Sequence, residues 1–261
     1  MQTFDFQTPS NVSEAAAAAG ASGAKLLAGG QSLLSSMKLG LAAPDALVDL
    51  AGVQALRGIT VAGGSVRIGA MCTHAEVAAS AEVRKAIPAL ADLAGHIGDR
   101  QVRNRGTLGG SLANNDPAAC YPAAVLGLGA TVHTDRRDIP ADDFFKGLYE
   151  TALGESEIIT AVSFPIPRKA GWQKFKQPAS RFSLVGVFVS AGPQGFRVAV
   201  TGAGPCVFRA RELESRLAAA NGSAAALSGA NVSVDGLNSD LHGSAEYRAA
   251  LIPVLAARAA A

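Results

Sequence analysis

The sequence predicts an α+β protein in three blocks, and three kinds of local signal carry that prediction. Capping-box spacings start helices, short apolar runs bounded by Gly, Pro and Asn read as strands, and two glycine-centred turns follow stretches that read as buried. In the first block, Asn11 with Glu14 three residues on starts an alanine-rich helix through Ala19, and Lys25 to Ala28 reads as a short buried strand. The turn Ala28-Gly29-Gly30-Gln31-Ser32 comes next, then a short helix over Gln31 to Leu39 and a strand at Leu47-Val48-Asp49-Leu50. Strand, glycine turn, helix is the order in which backbone amides bind phosphate.

The second block opens with a hairpin, Gly58 to Val61 and Ser65 to Ala70 across Ala62-Gly63-Gly64. Thr73 with Glu76 is a second capping box, and Pro88 starts a helix carrying Leu90, Leu93 and Ala94. From Ile97 to Pro122 no helical or strand period is visible, and a long irregular stretch in a compact protein is a candidate binding loop. It contains the second glycine turn, Gly106-Thr107-Leu108-Gly109-Gly110-Ser111. After a strand from Ile158 to Phe164, the third block begins at Pro165-Ile166-Pro167. It carries strands near Trp172 to Lys176, Leu184 to Ser190 and Arg197 to Thr201, then helices at about Arg211 to Ala220 and Ser244 to Ala260.

A Gly-Gly step opens conformations closed to residues with a Cβ, so successive N–H groups can converge on one anion while neighbouring Ser and Thr hydroxyls add donors. In a chain with 29 glycines a single such step is most often a plain turn. Two of them, about eighty residues apart, suit the pyrophosphate of a dinucleotide.

Composition narrows the classes. A formal charge of +2 with Lys and Arg spread along the chain argues against a nucleic-acid groove. No run of about 18 apolar residues and no signal-peptide pattern is present, so neither a membrane span nor secretion is expected, and the cytoplasm is the expected location. Cys72, Cys120 and Cys206 are odd in number and widely spaced, which supplies no disulfide framework and no CxxC pair for zinc or an iron-sulfur cluster. His74, His96, His133 and His242 lack metal-ligand spacing and read as surface or helix-end residues, with His96 close to the irregular stretch. Arg100, Arg103 and Arg105 suit either a phosphate or, for at least two of them, a partner surface. Gly202-Ala203-Gly204, followed by Pro205, reads as a turn.

The runs Leu26 to Leu34 (LLAGGQSLL), Ile68-Gly69-Ala70 with Thr73-His74-Ala75-Glu76, and Ile97 to Ala113 (IGDRQVRNRGTLGGSLA) resemble the FAD-binding medium subunit of molybdenum hydroxylases, the carbon monoxide dehydrogenase and xanthine dehydrogenase group. The likeness continues through Phe144 to Gly147, Glu157-Ile158-Ile159, Phe164-Pro165, Asp240-Leu241-His242 and Tyr247-Arg248. It implies a vanillyl-alcohol-oxidase (PCMH-type) FAD-binding domain over 1–165, with subdomains of about 1–52 and 53–165. A C-terminal α+β domain over 166–261, with a three-stranded sheet and helices, completes the expectation.

By the same resemblance, Leu27 to Leu33 and Thr107 to Ser111 hold the FAD pyrophosphate, joined by Asn115 and Asp116. Lys176 matches a lysine near the flavin, where an ammonium stabilises negative charge on the reduced ring. Phe182 falls at a ring-stacking position, although a core phenylalanine fits its pattern equally, and Ile158 at an aliphatic ring contact. Relatives usually read Asp-Pro-Ala-Ala-Asp after the second glycine turn, where this chain reads Asp116-Pro117-Ala118-Ala119-Cys120. A thiol is a poor acceptor for a flavin N–H, so Asp116 or a backbone carbonyl takes over, or Cys120 is a small buried hydrophobe. The implied role is an electron-transfer flavoprotein subunit, with no catalytic residue and no metal of its own. Molybdopterin lies on a large partner and iron-sulfur clusters on a small two-cluster partner, the whole forming a dimer of heterotrimers, a heterohexamer. A stand-alone flavin oxidase or reductase of the same fold is the alternative.

Overall fold

The computed structural model describes residues 3–261. Its first block holds β1 (Asp5–Gln7), α1 (Val12–Ala19), β2 (Ala24–Leu27), α2 (Leu33–Lys38) and β3 (Ala46–Asp49). The strands form a parallel sheet in the order β1-β3-β2, with Phe6 opposite Leu47 and Leu26 opposite Val48, because each returns through a helical crossover. Asn11 caps α1 by accepting from the Glu14 N–H, but the Glu14 carboxylate is taken by Ser10 instead of closing the box on Asn11.

The second block runs β4 (Ile59–Ala62), β5 (Ser65–Gly69), α3 (His74–Ala79), α4 (Ala81–Ala86), α5 (Pro88–Gly95), α6 (Arg100–Arg105), α7 (Leu108–Asn114), α8 (Tyr121–Leu128), β6 (Thr131–Thr134), β7 (Asp138–Pro140), α9 (Ala141–Phe144), β8 (Phe145–Gly147), β9 (Glu150–Thr151) and β10 (Ile159–Pro165). Its five-stranded antiparallel sheet has the order β4-β5-β10-β6-β7. The Thr73–Glu76 capping box is complete, and Pro88 opens α5.

The stretch 97–122 departs from the irregular loop expected there. It is mostly helical, with α6 capped by Asp99 (Val102 N–H to Asp99 Oδ1, 2.8 Å) and α7 capped by Thr107 (Gly110 N–H to Oγ1, 3.1 Å). Helices of six and seven residues are too short to display an amphipathic period, so side-chain caps were their readable signal.

The third block comprises β11 (Lys169–Lys176), β12 (Ser183–Gly192), β13 (Gly195–Thr201), β14 (Phe208–Arg209), α10 (Arg211–Ala219) and α11 (Ala245–Ala260). Its antiparallel sheet has four strands, not the three expected, because two-residue β14 pairs with β13 and is too short to carry alternation. Packing crosses from the second block into the third. Helix α8 is buried along its whole length, and the core around it takes in Trp172, Phe188, Ala199 and Val207. Gly127 gives Phe188 room to lie on α8, since a Cβ there would sit 2.9 Å from Phe188 Cδ1. In the third block the buried Arg248 guanidinium grips Asp240 with two 2.8 Å bonds and donates to the Leu184 and Gly202 carbonyls, also at 2.8 Å. Among the described residues no helix is long and apolar enough to cross a membrane.

Candidate functional site

The two glycine turns lie against each other. A Cβ on Gly29 would overlap the Arg105 carbonyl and stand 2.8 Å from the Gly106 Cα, and a Cβ on Gly110 would stand 3.3 Å from that of Ala28. Gly30 turns the chain from β2 into α2 with φ of +73°, a region that favours glycine. Through this turn the backbone N–H groups of Gly29, Gly30, Gln31 and Ser32 have no hydrogen-bond partner among the described residues. Only the Gln31 side chain folds back, onto the Gly29 carbonyl at 3.3 Å. Four adjacent free donors at a strand-to-helix turn have the chemistry that a cradle for an anion needs.

The second turn is built differently: its backbone donors from Leu108 to Ser111 are spent inside the fold, while the Thr107 N–H and the Ser111 hydroxyl have no hydrogen-bond partner among the described residues. Leu108 N–H bonds the Cys72 carbonyl (3.0 Å), Gly109 N–H the Ala70 carbonyl (2.8 Å), Gly110 N–H the Thr107 hydroxyl, and Ser111 N–H the Thr107 carbonyl (3.0 Å). Leu108 and Gly109 are buried against β5, where a Cβ on Gly109 would stand 2.6 Å from that of Ala70. Thr107 to Ser111 therefore form the wall that Gly29 packs against, with half-buried Ser111 one turn into α7.

His74 braces this wall from beneath. Its N–H donates to the Gly106 carbonyl at 2.9 Å, and its ring lies 5.3 Å from that of Tyr121. The ring is buried at the first residue of α3, so of the surface and helix-end positions read from the sequence it takes the helix end. Burial, with the Arg103 charge adding to it, lowers its pKa to about 4, so the imidazole is neutral. Its Nδ1 and the buried Tyr121 hydroxyl have no partner among the described residues.

Beyond α7 the chain bends through Asn115 at φ of +42°. The Asn115 side chain donates to the Gly147 and Glu150 carbonyls (2.9 and 2.8 Å), fixing that hairpin. Asp116 Oδ1 takes the Ala118 N–H at 2.8 Å and Oδ2 the Tyr149 hydroxyl at 3.4 Å. The third block clamps the segment between Asp116 and α8: Thr201 Oγ1 donates to the Ala119 carbonyl (2.6 Å) and Gly202 N–H to the Pro117 carbonyl (2.8 Å). Cys120, at the start of α8, is buried with its Sγ 3.5 Å from Ser183 Oγ and 3.3 Å from Lys174 Nζ.

Ile158 joins a buried cluster with Val48, Leu50 and Met71 against which Ala28 packs, so it stands behind the first turn. Glu157 holds its approach. The Arg137 guanidinium grips the Glu157 carboxylate with two 3.0 Å bonds, and Thr134 Oγ1 and Gly154 N–H add two at 2.7 Å, which together hold its pKa at about 2. Leu27 and Leu33 flank the first turn half-buried, with Gln31 and Ser32 exposed between them. Lys176 and Phe182 are exposed at the turn end of the β11–β12 hairpin, where Lys176 pairs with Ser183.

Sequence reasoning missed Lys174 and Ser183. Lys174 lies two residues beyond buried Trp172 in one strand, and that alternation is the signal that would have placed it inward. A cavity of about 450 Å³ lies elsewhere, lined by Arg168, Lys169, Phe196 and Asn221 in the third block.

A strand-to-helix glycine turn with unpaired N–H groups, packed on a helical wall, suits the phosphates of a nucleotide. The family model described as the FAD binding domain in molybdopterin dehydrogenase matches residues 2–167. Among curated relatives, the nicotine 6-hydroxylase medium subunit of Paenarthrobacter nicotinovorans is 40% identical over 90% of this chain and 87% of its own. The carbon monoxide dehydrogenase medium chain of Hydrogenophaga pseudoflava is 36% identical over 98% and 95%. Solved carbon monoxide dehydrogenase from the latter organism superposes with a TM-score of 0.89 at 34% identity, over 99% of this chain and 96% of that one. Quinoline 2-oxidoreductase from Pseudomonas putida 86 gives 0.88 at 30% identity with the same coverage. The chain belongs to the FAD-binding medium subunits of molybdenum hydroxylases; it is an oxidoreductase subunit whose cofactor is FAD. The cradle fits that cofactor, since its free N–H row is complementary to a pyrophosphate.

Proposed function

We propose that this chain is the electron-transfer subunit of a molybdenum hydroxylase assembly, receiving electrons from iron-sulfur clusters on a small partner and delivering them to an external acceptor. The substrate is oxidised on a large molybdopterin-bearing partner, and two heterotrimers pair as a hexamer in the cytoplasm. The relatives support the multi-subunit part of this reading, being named as medium or FAD subunits of carbon monoxide, nicotine and xanthine enzymes. The observation that carries the flavin site is the unpaired N–H row of Gly29 to Ser32 in a turn packed against Gly106 and Gly110.

When bound, FAD supplies a carrier that accepts electrons singly and releases them in pairs. The cradle residues Leu27 to Leu33 hold the pyrophosphate, with Thr107 to Ser111 fixing the cradle's depth. Asn115 and Asp116 shape the bend that leads to Cys120. Ile158 closes the apolar side, Lys176 and Phe182 bound the exposed end, and half-buried Lys174 adds a positive charge beside Cys120. The division into a PCMH-type domain, 1–165 with subdomains of about 1–52 and 53–165, and a C-terminal domain, 166–261, belongs to this same proposal.

The test is turnover. The isolated FAD-loaded chain is expected to leave carbon monoxide, aldehydes, purines and N-heterocycles unoxidised with an artificial electron acceptor, while the chain within its purified complex supports oxidation. Substrate oxidation by the isolated chain would replace this reading with that of a self-contained flavin enzyme.

A further inference from the structure

Lys174 and Cys120 meet at the seam between the second and third blocks. Lys174 Nζ has two partners, the His96 carbonyl at 3.1 Å and Cys120 Sγ at 3.3 Å, and neither is a carboxylate. The sulfur is enclosed: Cys120 is 4% exposed, and Ser183 Oγ approaches it at 3.5 Å. A sulfenic acid condenses with a neighbouring nitrogen to a sulfenamide, and Lys174 Nζ is the nitrogen in contact with this sulfur. Neither of the other cysteines has this arrangement; Cys72 contacts the Gly58 carbonyl and Cys206 the Val207 carbonyl.

We propose that Cys120 and Lys174 form a reversible covalent S–N cross-link, a sulfenamide, when the protein meets hydrogen peroxide. In the first step Cys120 sulfur is oxidised by two electrons and peroxide is reduced: the O–O bond breaks, an S–O bond forms, and the thiol proton leaves with the second oxygen as water. In the second step the Lys174 ammonium releases a proton to solvent and the resulting amine attacks that sulfur. An S–N bond forms, the S–O bond breaks, and the departing hydroxide takes a proton from nitrogen to leave as a second water. Two equivalents of an external thiol reverse the link, restoring thiol and amine and forming one disulfide. The bond joins the start of α8 to β11, so it staples the glycine-turn block to the third block and removes the ammonium charge beside Cys120. None of this depends on the electron-transfer reading.

The test uses the full FAD-loaded chain, treated with graded hydrogen peroxide in the dark, alkylated, digested and analysed by tandem mass spectrometry. The expected product is a Cys120 peptide joined to a Lys174 peptide, lighter than their sum by two hydrogens and absent after dithiothreitol. Lys174→Arg abolishes it and Lys176→Arg does not. Free or sulfinic Cys120 with unmodified Lys174, at a dose that oxidises Cys206, overturns the proposal, as does a link to Lys176. A joined pair heavier by one oxygen would overturn the S–N assignment.

Discussion

Gly29→Ala isolates the geometry of the cradle, because Gly29 does not have a left-handed φ and alanine can adopt its backbone without strain. The new methyl would overlap the Arg105 carbonyl and stand 2.8 Å from the Gly106 Cα. Both are backbone atoms, so no rotamer change relieves the contact and the turns must separate. Overpacking of this kind costs roughly 1–3 kcal/mol. If the separation falls on the cradle, FAD affinity drops by about 5- to 150-fold at ~1.4 kcal/mol per tenfold. If it falls on the fold, the melting temperature of the FAD-free chain drops by about 2–12 °C. Gly192→Ala is the control, since a Cβ there meets nothing within 4 Å. Isothermal titration with FAD and thermal melts of the three proteins separate these effects. Unchanged affinity and melting in Gly29→Ala would refute the close packing of the two turns on which the site rests.

Three further outcomes rest on the same geometry. His74 has a folded-state pKa of about 4 against an ordinary 6.5, so below pH 6.5 the unfolded chain binds a proton that the folded chain does not. Its contribution is complete above pH 6.5 and is lost as pH falls towards 4, about 3 kcal/mol in all; urea unfolding across that range should show the slope in the parent and a flatter one in His74→Gln. Glu157, held at about 2, stabilises above its ordinary 4.5 and loses that contribution as pH falls towards 2; Glu157→Gln should therefore destabilise at pH 7 and differ little from the parent at pH 2, read by thermal melting. Cys120→Asp places a carboxylate beside Lys174 Nζ, which is 3.3 Å from the present sulfur. Its stability should stay within about 1 kcal/mol of Cys120→Ala, where an unpaired buried carboxylate would cost ~3 kcal/mol or more; a larger loss by chemical denaturation would refute the pairing.

The parts of the fold legible in the sequence were those whose signals are local. The hairpin around Gly63-Gly64, the Thr73–Glu76 capping box, Pro88 at the start of α5 and Ser244 ahead of α11 all fall within a residue or two of where the pattern puts them. The short helices α6 and α7 were not legible as helices, because their stability comes from caps and from packing on β5 instead of from period. The two glycine turns were readable as a pair, but the division of labour between them was not. That the Leu108 and Gly109 donors are spent depends on the carbonyls of Cys72 and Ala70, which only the tertiary fold brings there. The same holds for Lys174: its partners His96 and Cys120 are 78 and 54 residues away in the chain.

The central claim is that this chain holds the flavin and leaves the substrate chemistry to partners. Native mass spectrometry of the intact assembly, purified through a tag on this chain and then dissociated in the gas phase, tests it most directly. The account predicts that this chain separates carrying one FAD, with molybdopterin and iron-sulfur clusters remaining on two other chains. Release of this chain without flavin, with FAD on a different subunit, or a homogeneous particle of this chain alone with full oxidase activity, would contradict it.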